Sequence, residues 1–328
     1  MESMVVHSQV QTDQFLIIYL DSLRIDTILN FDLYIKKGVE YVLYRAAHLP
    51  FGEKNRKVLL DNNINRLYVS MGEKKDYQHY VEANIREIIA DGSIDDKTKA
   101  GIVYDSAQLL VRDVLNNPTL GENIKRSQDM VAATVAFILQ GQTAFYNLLR
   151  VMSFDYYTYT HSLNVCTFSL ALARHAGIND FDDLQVLGTG ALLHDVGKTK
   201  ISDTILNKRG PLTSPEMQII KHHPQWGVDI ILETDMIPDE SYFPIIQHHE
   251  RINQTGYPKG IGAEDIHMYG KIVAIADVFD AMTTERVYRS AVAAYPALKS
   301  MFADVGAFDR KLLEEFTRLM GPTEFADL

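Results

Sequence analysis

The hydrophobic period of this chain changes once, near Asp76, and this change limits the fold more than any other feature. Before it, short β-branched and aromatic segments alternate with turn residues, at residues 31–35, 40–44 and 66–70, a pattern typical of strands. Beyond it, apolar residues recur every three or four positions, which indicates amphipathic helices. The sequence therefore predicts a mainly α protein in which a small α+β domain precedes a long helical region.

Three regions follow from this pattern. Residues 1–72 are predicted to form the small α+β domain, with a regulatory or interaction role, and residues 73–149 a helical connector whose last helix covers residues 124–149. Residues 150–328 are predicted to form a further helical domain. The apolar stripes of the connector fit either a core or the seam of a homodimer. Core packing is favoured because coiled-coil patterns normally run longer.

Charge and cysteine content exclude several classes of protein. The formal charge of −11 argues against a broad grip on a nucleic acid polymer, although metals and a few arginines can reverse the field locally for a small phosphate ligand. The single cysteine, Cys166, rules out an intramolecular disulfide and is typical of a reducing compartment. No apolar run approaches a membrane span and residues 1–14 lack a secretory pattern, so we expect a cytoplasmic protein without membrane insertion.

Residue types that bind metals are concentrated in one region. Seven of the eleven histidines fall between residues 161 and 249, and Asp195 directly follows His194. Imidazole and carboxylate suit divalent iron, manganese or zinc. Because consecutive helical residues point about 100° apart, such a pair can offer two ligands to a site between their directions. We therefore predict metal ions that act on a phosphate.

Several histidines are interpreted as structural. His175 lies at a predicted helix end, where the dipole favours a cation, and His267 is expected to face solvent. A capping box at Thr213-Ser214-Pro215-Glu216 opens a helix predicted to carry both His222 and His223, which cannot both face one ion. Three further histidines have no acidic or histidine cluster beside them: His7, His48 and His79.

The remaining motifs follow one another in a defined order. They are His161, His194-Asp195-Val196-Gly197-Lys198, His223-Pro224-Gln225-Trp226-Gly227, His248-His249-Glu250-Arg251, Gly256-Tyr257-Pro258 and Ala276-Asp277-Val278-Phe279-Asp280-Ala281. This series resembles the HD-GYP family, a subgroup of the HD metal-dependent phosphohydrolases, over roughly residues 150–300. The resemblance implies an all-helical HD-type catalytic domain at residues 150–328 and hydrolysis of cyclic di-GMP, a bacterial second messenger. The expected product is linear pGpG, and whether hydrolysis ends there or continues to GMP is left open by the sequence.

The resemblance also assigns roles to the motif residues. It implies two divalent metal ions with these ligands: His161, His194 and Asp277 for one, and His223, His248 and His249 for the other, with Asp195 as the bridge. His223 is preferred over His222 because it precedes proline in the family-like string. Two metals about 3.5–4 Å apart can generate a hydroxide and clamp the attacking and leaving oxygens. The mixed ligand set and the family favour iron, and manganese is compatible.

Four residues are candidates for substrate contact and catalysis. Lys198, a turn beyond Asp195, would neutralise a phosphate oxygen or protonate the leaving group, or else is a surface lysine at a helix end. Arg286 and Arg289 match positions that resemble ligand contacts in the family, and guanidinium suits phosphate; the alternative is ordinary exposed arginines. Tyr257 either shapes the substrate pocket or packs. Glu250 either supports a ligand histidine or forms a salt bridge with Arg251 or another helix.

Two positions depart from the family pattern. A glutamate that helps to hold a third metal in some members is replaced by Tyr157, which favours two ions. The Asp-Gly pair that usually precedes the Gly-Tyr-Pro segment is replaced by Asn253-Gln254. Loss of a carboxylate and a flexible glycine stiffens the loop or alters substrate affinity, and it removes no proposed metal ligand.

Three functions are compatible with this sequence. The first is a metal-dependent phosphodiesterase. The second, motivated by Asn253-Gln254, is a cyclic-dinucleotide sensor with little turnover that signals through the N-terminal domain or a protein partner. The third is an HD-type hydrolase of another nucleotide, which the Gly-Tyr-Pro segment and the two arginines disfavour.

Overall fold

The structure, a computed structural model, describes residues 14–152, 158–208, 210–284 and 291–321. It forms two compact units that divide between Ser106 and Ala107. The boundaries near residues 72 and 149 stay predictions from the sequence. The mainly α fold with a small α+β region at the N-terminal side is confirmed.

The N-terminal unit is built around antiparallel strands. They are β1 (Phe15–Tyr19), β2 (Thr27–Ile28), β3 (Leu33–Lys37), β4 (Glu40–Arg45), β5 (Pro50–Phe51) and β6 (Arg66–Ser70). Four of them form a sheet in the order β1-β6-β3-β4, and β2 pairs with β5. Gly38, with φ +62°, makes the predicted turn between β3 and β4, because a residue without Cβ adopts this left-handed conformation at no steric cost.

Three helices complete this unit or begin in it: α1 (Glu53–Asp61), α2 (Lys74–Ala90) and α3 (Asp96–Asn116). The alternation of β6 buries Leu67 and Val69, as expected for a sheet with one covered face. The predicted stripe on α2 is also buried and includes Val81 and Ile88. The alternating apolar residues of the strands and the apolar stripes of the helices therefore pack into one common core.

The C-terminal unit is helical. After α3 come α4 (Gly121–Ile138), α5 (Gln142–Val151), α6 (Thr158–His175), α7 (Phe181–Leu193), α8 (Asp203–Leu206), α9 (Ser214–Lys221), α10 (His223–Leu232), α11 (Tyr242–Gln247), α12 (Met268–Thr283), α13 (Ala294–Ala303) and α14 (Arg310–Met320). A 3₁₀ helix, Val196–Lys200, follows α7. Among the described helices, none combines the length and apolar character that a membrane span needs.

Two predicted helices are each divided in the structure. The single helix predicted over residues 124–149 is α4 followed by α5, because Gly141 between them has φ +150°, outside the helical region. The helix predicted to carry His222 and His223 ends at Lys221, and α10 begins at His223. Pro224 has no N–H to continue the first helix, so a new helix starts there.

An aromatic cluster joins three helices of this unit. Phe168 of α6, Phe279 of α12 and Phe316 of α14 are all buried and meet edge to face with centroid distances of 5.0–5.9 Å. Such pairs contribute roughly 0.5–1.5 kcal/mol each beyond burial of their area. Phe279 lies between Asp277 and Asp280 in sequence, so this packing fixes the helix that presents both carboxylates.

Candidate metal centre

The predicted ligands meet in one buried cluster. Ligand atoms of His161, His194 and Asp195 lie within 4.8 Å of one another, and so do those of Asp195, His223, His248 and His249. Asp277 joins both groups: its Oδ1 is 3.1 Å from His161 Nε2 and its Oδ2 is 3.7 Å from His249 Nδ1. Side chains from α6, α10 and α12, and from the segments that follow α7 and α11, therefore converge.

Asp195 lies at the centre with its two oxygens directed to different histidines. Its Oδ1 is 3.3 Å from His223 Nε2 and 3.8 Å from His248 Nε2. Its Oδ2 is 3.6 Å from His161 Nε2 and 3.5 Å from His194 Nε2. The residue is fully buried. This arrangement is the one that a carboxylate shared by two cations requires.

Three of the histidines are oriented by the ends of the helices that precede them. Nδ1 of His194 is 2.8 Å from Ala191 O, in the last turn of α7, and Nδ1 of His248 is 3.0 Å from the carbonyls of Pro244 and Ile245 in α11. Carbonyls of a last helical turn lack helical donors, so the imidazole supplies one. Because Nδ1 donates, Nε2 carries the lone pair that a metal can accept.

Pro224 creates the same arrangement at His223. In a continuous helix, Ile220 O would accept from the N–H of residue 224, but proline has none. His223 Nδ1 instead lies 2.8 Å from Ile220 O. The proline therefore ends α9 and directs the His223 ring, which gives a physical reason for the His-Pro string.

The donor atoms fit divalent metal ions. Within the described part of the chain, His194 Nε2 and Asp195 Oδ1 are buried without a hydrogen bond of acceptable geometry. His223 Nε2 and His248 Nε2 lie 3.1 Å apart, and both carry lone pairs when Nδ1 is the donor. Two nitrogen ligands at right angles on one ion, each about 2.1 Å from it, are about 3 Å apart. Bound cations would resolve this otherwise repulsive contact.

The electrostatics of the cluster also favour cations. Asp195, Asp277 and Asp280 are buried. Among the described residues, the one direct ion pair between these carboxylates and a lysine or arginine joins Asp195 to Lys198. Burial alone would raise the pKa of Asp195, but Lys198 and His194 hold it well below its usual value. Burial lowers the pKa of His161, but Asp277 and Asp280 outweigh this effect and raise it to about 10.

Burial and neighbouring histidines keep the rings of His248 and His249 neutral. The pKa values of His248 and His249 lie well below the usual value, chiefly because burial disfavours the charged ring. Neutral imidazole is the form that coordinates a metal. His161 therefore has electrostatic surroundings different from those of His248 and His249.

Asp280 is a member of the site that the sequence interpretation missed. Its Oδ2 lies 2.7 Å from His161 Nδ1, and its Oδ1 accepts from Asn164 Nδ2 at 2.8 Å. The available signal was its position three residues after Asp277, which places both on one helix face. A second carboxylate at this spacing is common on exposed helices, so the sequence alone gave no reason to single it out.

The Gly-Tyr-Pro loop is attached directly to the ligand segment. Tyr257 N donates to His249 O at 3.1 Å, and the Tyr257 ring stacks on the His249 ring with centroids 4.6 Å apart. The Glu250 carboxylate accepts from Lys259 N at 2.7 Å and Ile261 N at 3.2 Å. Glu250 therefore holds the loop backbone, a role different from both alternatives considered for it.

Lys198 lies where a phosphate could reach it. Its Nζ is 2.5 Å from Asp195 Oδ2, and its side chain is 17% exposed while that of Asp195 is 1% exposed. Close packing fixes this segment, since a Cβ at Gly197 would overlap the backbone of His223 and Gly227. Three sequence candidates, Tyr157, Arg286 and Arg289, lie outside the described residues.

The other histidines lie apart from the cluster. His222 is exposed and stacks on Trp226, and His175 Nε2 is 3.2 Å from Glu315. His267 is half-buried and caps α12 by accepting from Tyr269 N, so it does more than face solvent. His48 and His79 lie in the N-terminal unit, and His7 lies outside the described residues.

The cluster lies within a part of the chain that matches a known domain family. Residues 155–312 match the model of the HD domain family. A cyclic di-GMP phosphodiesterase of Pseudomonas aeruginosa is 34% identical over 68% of this chain and 54% of its own length. The 3'3'-cGAMP-specific phosphodiesterase 3 of Vibrio cholerae is 29% identical over 68% of this chain and 49% of its own length.

A solved structure covers more of the chain. Bd1817, an HDG"Y"P protein from Bdellovibrio bacteriovorus, is 25% identical with a TM-score of 0.64, and the match covers 94% of this chain and 100% of that one. The chain spans about half the length of the two curated relatives it resembles. It belongs to the HD-GYP family.

Proposed function

We propose that this protein is a metal-dependent phosphodiesterase that hydrolyses cyclic di-GMP to linear pGpG and onward to GMP. The observation that carries the proposal is the position of Asp195, whose two oxygens lie beside two separate pairs of histidines. Iron is the favoured metal and manganese a compatible one, because the donors are nitrogen and carboxylate oxygen. The substrates of the two relatives, cyclic di-GMP and 3'3'-cGAMP, support a cyclic dinucleotide as the substrate class.

The proposed ligand sets follow the two sides of Asp195. One ion would be held by His161, His194 and Asp277, the other by His223, His248 and His249, and Asp195 would bridge them. Two such ions would activate a water molecule and neutralise charge on the phosphate. The helix ends that fix the Nδ1 atoms pre-organise the donors, so that little side-chain reorganisation accompanies binding.

The other side chains would act on the substrate. Lys198 Nζ, beside Asp195 at the accessible edge of the cluster, would neutralise a phosphate oxygen or donate a proton to the leaving oxygen. Tyr257, stacked on His249, has Lys221 Nζ 5.4 Å from its ring centroid, so an aromatic face and a cation border the centre. Arg286 and Arg289 remain proposed phosphate contacts on the strength of the sequence.

The decisive experiment combines metal analysis with product identification. Protein purified anaerobically and loaded with Fe²⁺ or Mn²⁺ is incubated separately with cyclic di-GMP and 3'3'-cGAMP, and products are separated by chromatography. We expect cyclic di-GMP to yield pGpG and then GMP. Asp195→Asn should lose turnover and most bound metal, because it removes the charge that both ions share.

A matched control separates these effects from general damage. Asp229→Asn changes an exposed carboxylate on α10 whose partner is Gln225, and it should retain metal and activity. Absence of product with both metals and both dinucleotides would overturn the proposal. Tight binding without hydrolysis would instead support the cyclic-dinucleotide sensor, for which the Asn253-Gln254 substitution is the motivation.

A further inference from the structure

Asp280 is a buried carboxylate outside both groups of candidate ligands. It is fully buried and contacts His161 Nδ1, Asn164 Nδ2 and Thr284 Oγ1 at 2.7, 2.8 and 3.0 Å. Neither group of candidate metal ligands includes it. An ionised group placed here costs solvation free energy, so its contacts point to a specific task.

His161 differs from three other candidate ligands in the group that orients its ring. The Nδ1 atoms of His194, His223 and His248 face neutral backbone carbonyls, whereas that of His161 faces the Asp280 carboxylate. A carboxylate accepts a stronger hydrogen bond than a carbonyl and makes the opposite ring nitrogen a stronger metal donor. The Asp280 charge therefore acts on one side of the Asp195 bridge.

One turn of α12 holds both nitrogens of the His161 ring. Asp277 Oδ1 is 3.1 Å from Nε2, and Asp280 Oδ2 is 2.7 Å from Nδ1. Residues three apart in a helix share a face, and Phe279 packs this helix against α6. A shift of α12 would therefore move two residues at once: Asp277, which is a candidate ligand, and Asp280, which orients the ligand His161.

We infer that Asp280 is a positioning residue that sets metal affinity on the His161 side of the centre and acts on that one of the two metal positions. The inference rests on the two-ion centre of the proposed function. Loss of the Asp280 charge weakens the ion held by His161, His194 and Asp277. The position formed by His223, His248 and His249 keeps its affinity.

The test is a Mn²⁺ titration of the full-length protein followed by electron paramagnetic resonance, which counts free Mn²⁺ and distinguishes coupled pairs from single ions. Wild type should bind two ions with a coupled spectrum. Asp280→Asn should bind one ion tightly and the second 10–100-fold more weakly, with a single-ion spectrum at intermediate Mn²⁺. Asp280→Glu, which keeps the charge, should recover much of the lost affinity.

Two controls separate positioning from loss of structure. Thr284→Val removes one hydrogen bond to Asp280 without its charge, and it should retain two tight ions. In a His161→Gln background, which already lacks the ligand, Asp280→Asn should cause no further loss of Mn²⁺ affinity, whereas a structural effect would add to the first.

The outcomes distinguish this inference from the proposed function. If wild type binds fewer than two ions, the two-ion centre fails. If wild type binds two ions and Asp280→Asn binds them equally well, the inference about Asp280 is wrong. Equal weakening of both positions, or additive loss in the His161→Gln background, would also contradict it. If Asp280→Asn does not fold, Asp280→Glu and the Thr284→Val titration still test whether charge or hydrogen bonding governs affinity.

Discussion

Gln254 adopts a backbone conformation that its side chain disfavours. Its φ is +65°, in the left-handed region where glycine is favoured, and the family pattern usually has glycine here. The turn is kept by neighbouring contacts: Gln254 N donates to Arg251 O at 2.8 Å, and Asn253 Oδ1 accepts from Thr255 N at 3.2 Å. The loop that leads to Tyr257 thus retains glycine geometry without glycine.

Gln254→Gly should therefore stabilise the protein. Relief of left-handed strain contributes about 1–2 kcal/mol, and the greater freedom of glycine in the unfolded chain offsets roughly 0.5–1 kcal/mol of it. We expect the free energy of unfolding in urea to rise by about 0.5–1 kcal/mol. Gln225→Gly, at an exposed site in α10, is the control and should lower it by about 1 kcal/mol. Destabilisation by Gln254→Gly would show that the strain is absent.

At the scale of elements, the start of α12 depends on an uncharged histidine. His267 Nδ1 accepts from Tyr269 N at 3.2 Å, and its ring stacks on Phe243. Burial lowers the pKa of His267, Glu240 opposes this effect and Lys271 adds to it. Because a protonated Nδ1 cannot accept, protonation removes the cap from the helix that carries Asp277 and Asp280.

This cap predicts a pH-dependent contribution to stability. The folded pKa lies below the unfolded value of about 6.5, so the contribution is complete above that pH and is lost as pH falls through the folded pKa. Asparagine caps helices without titrating. Wild type should lose up to about 1 kcal/mol relative to His267→Asn between pH 7.5 and pH 5, measured by urea unfolding. An unchanged difference would contradict the cap.

The sequence predicted most elements because their periods differ. Residues 66–70 form β6 as predicted, and the apolar stripe of the predicted connector that includes Val81 and Ile88 is buried in α2. The break at Gly141 escaped prediction because the apolar period continues across it. The segment after α9 was misassigned since Pro224 was used to choose between His222 and His223 but not to end the helix.

The residues of the candidate site that could be predicted from the sequence are those to which the family motifs assign a role. The family pattern selected His161, Asp195 and Asp277, which the structure brings together. It gave no role to Asp280, and the contacts of Glu250 depend on where a loop folds back. These interactions join residues distant in sequence, as His161 and Asp280 are. The local hydrophobic pattern of the sequence therefore does not predict them.

On the scale of the whole molecule, bound metal should stabilise the folded C-terminal unit. The candidate ligands come from three helices and from two segments that follow helices in the C-terminal unit, and a ligand that binds only the folded state stabilises it by mass action. The single tryptophan of the chain, Trp226, lies in α10, so its fluorescence reports unfolding of this unit.

Metal removal should therefore lower the thermal midpoint reported by Trp226. At metal concentrations 1,000 times Kd the stabilisation is about 4 kcal/mol, which corresponds to roughly 8–16 °C for a unit of this size. Addition of EDTA should shift the fluorescence midpoint by about this amount. The midpoint of Asp195→Asn should be insensitive to EDTA, and an equal shift in that variant would place the stabilising metal elsewhere.

The spacing of the ligands along the chain has a consequence for biosynthesis. His161 is synthesised first, and the α12 residues that hold both nitrogens of its ring come last. At about 5–20 residues per second, Asp277 follows His161 by roughly 6–23 s. A nascent chain thus exposes several histidines before the centre can close, and metal capture becomes one of the last events in its maturation.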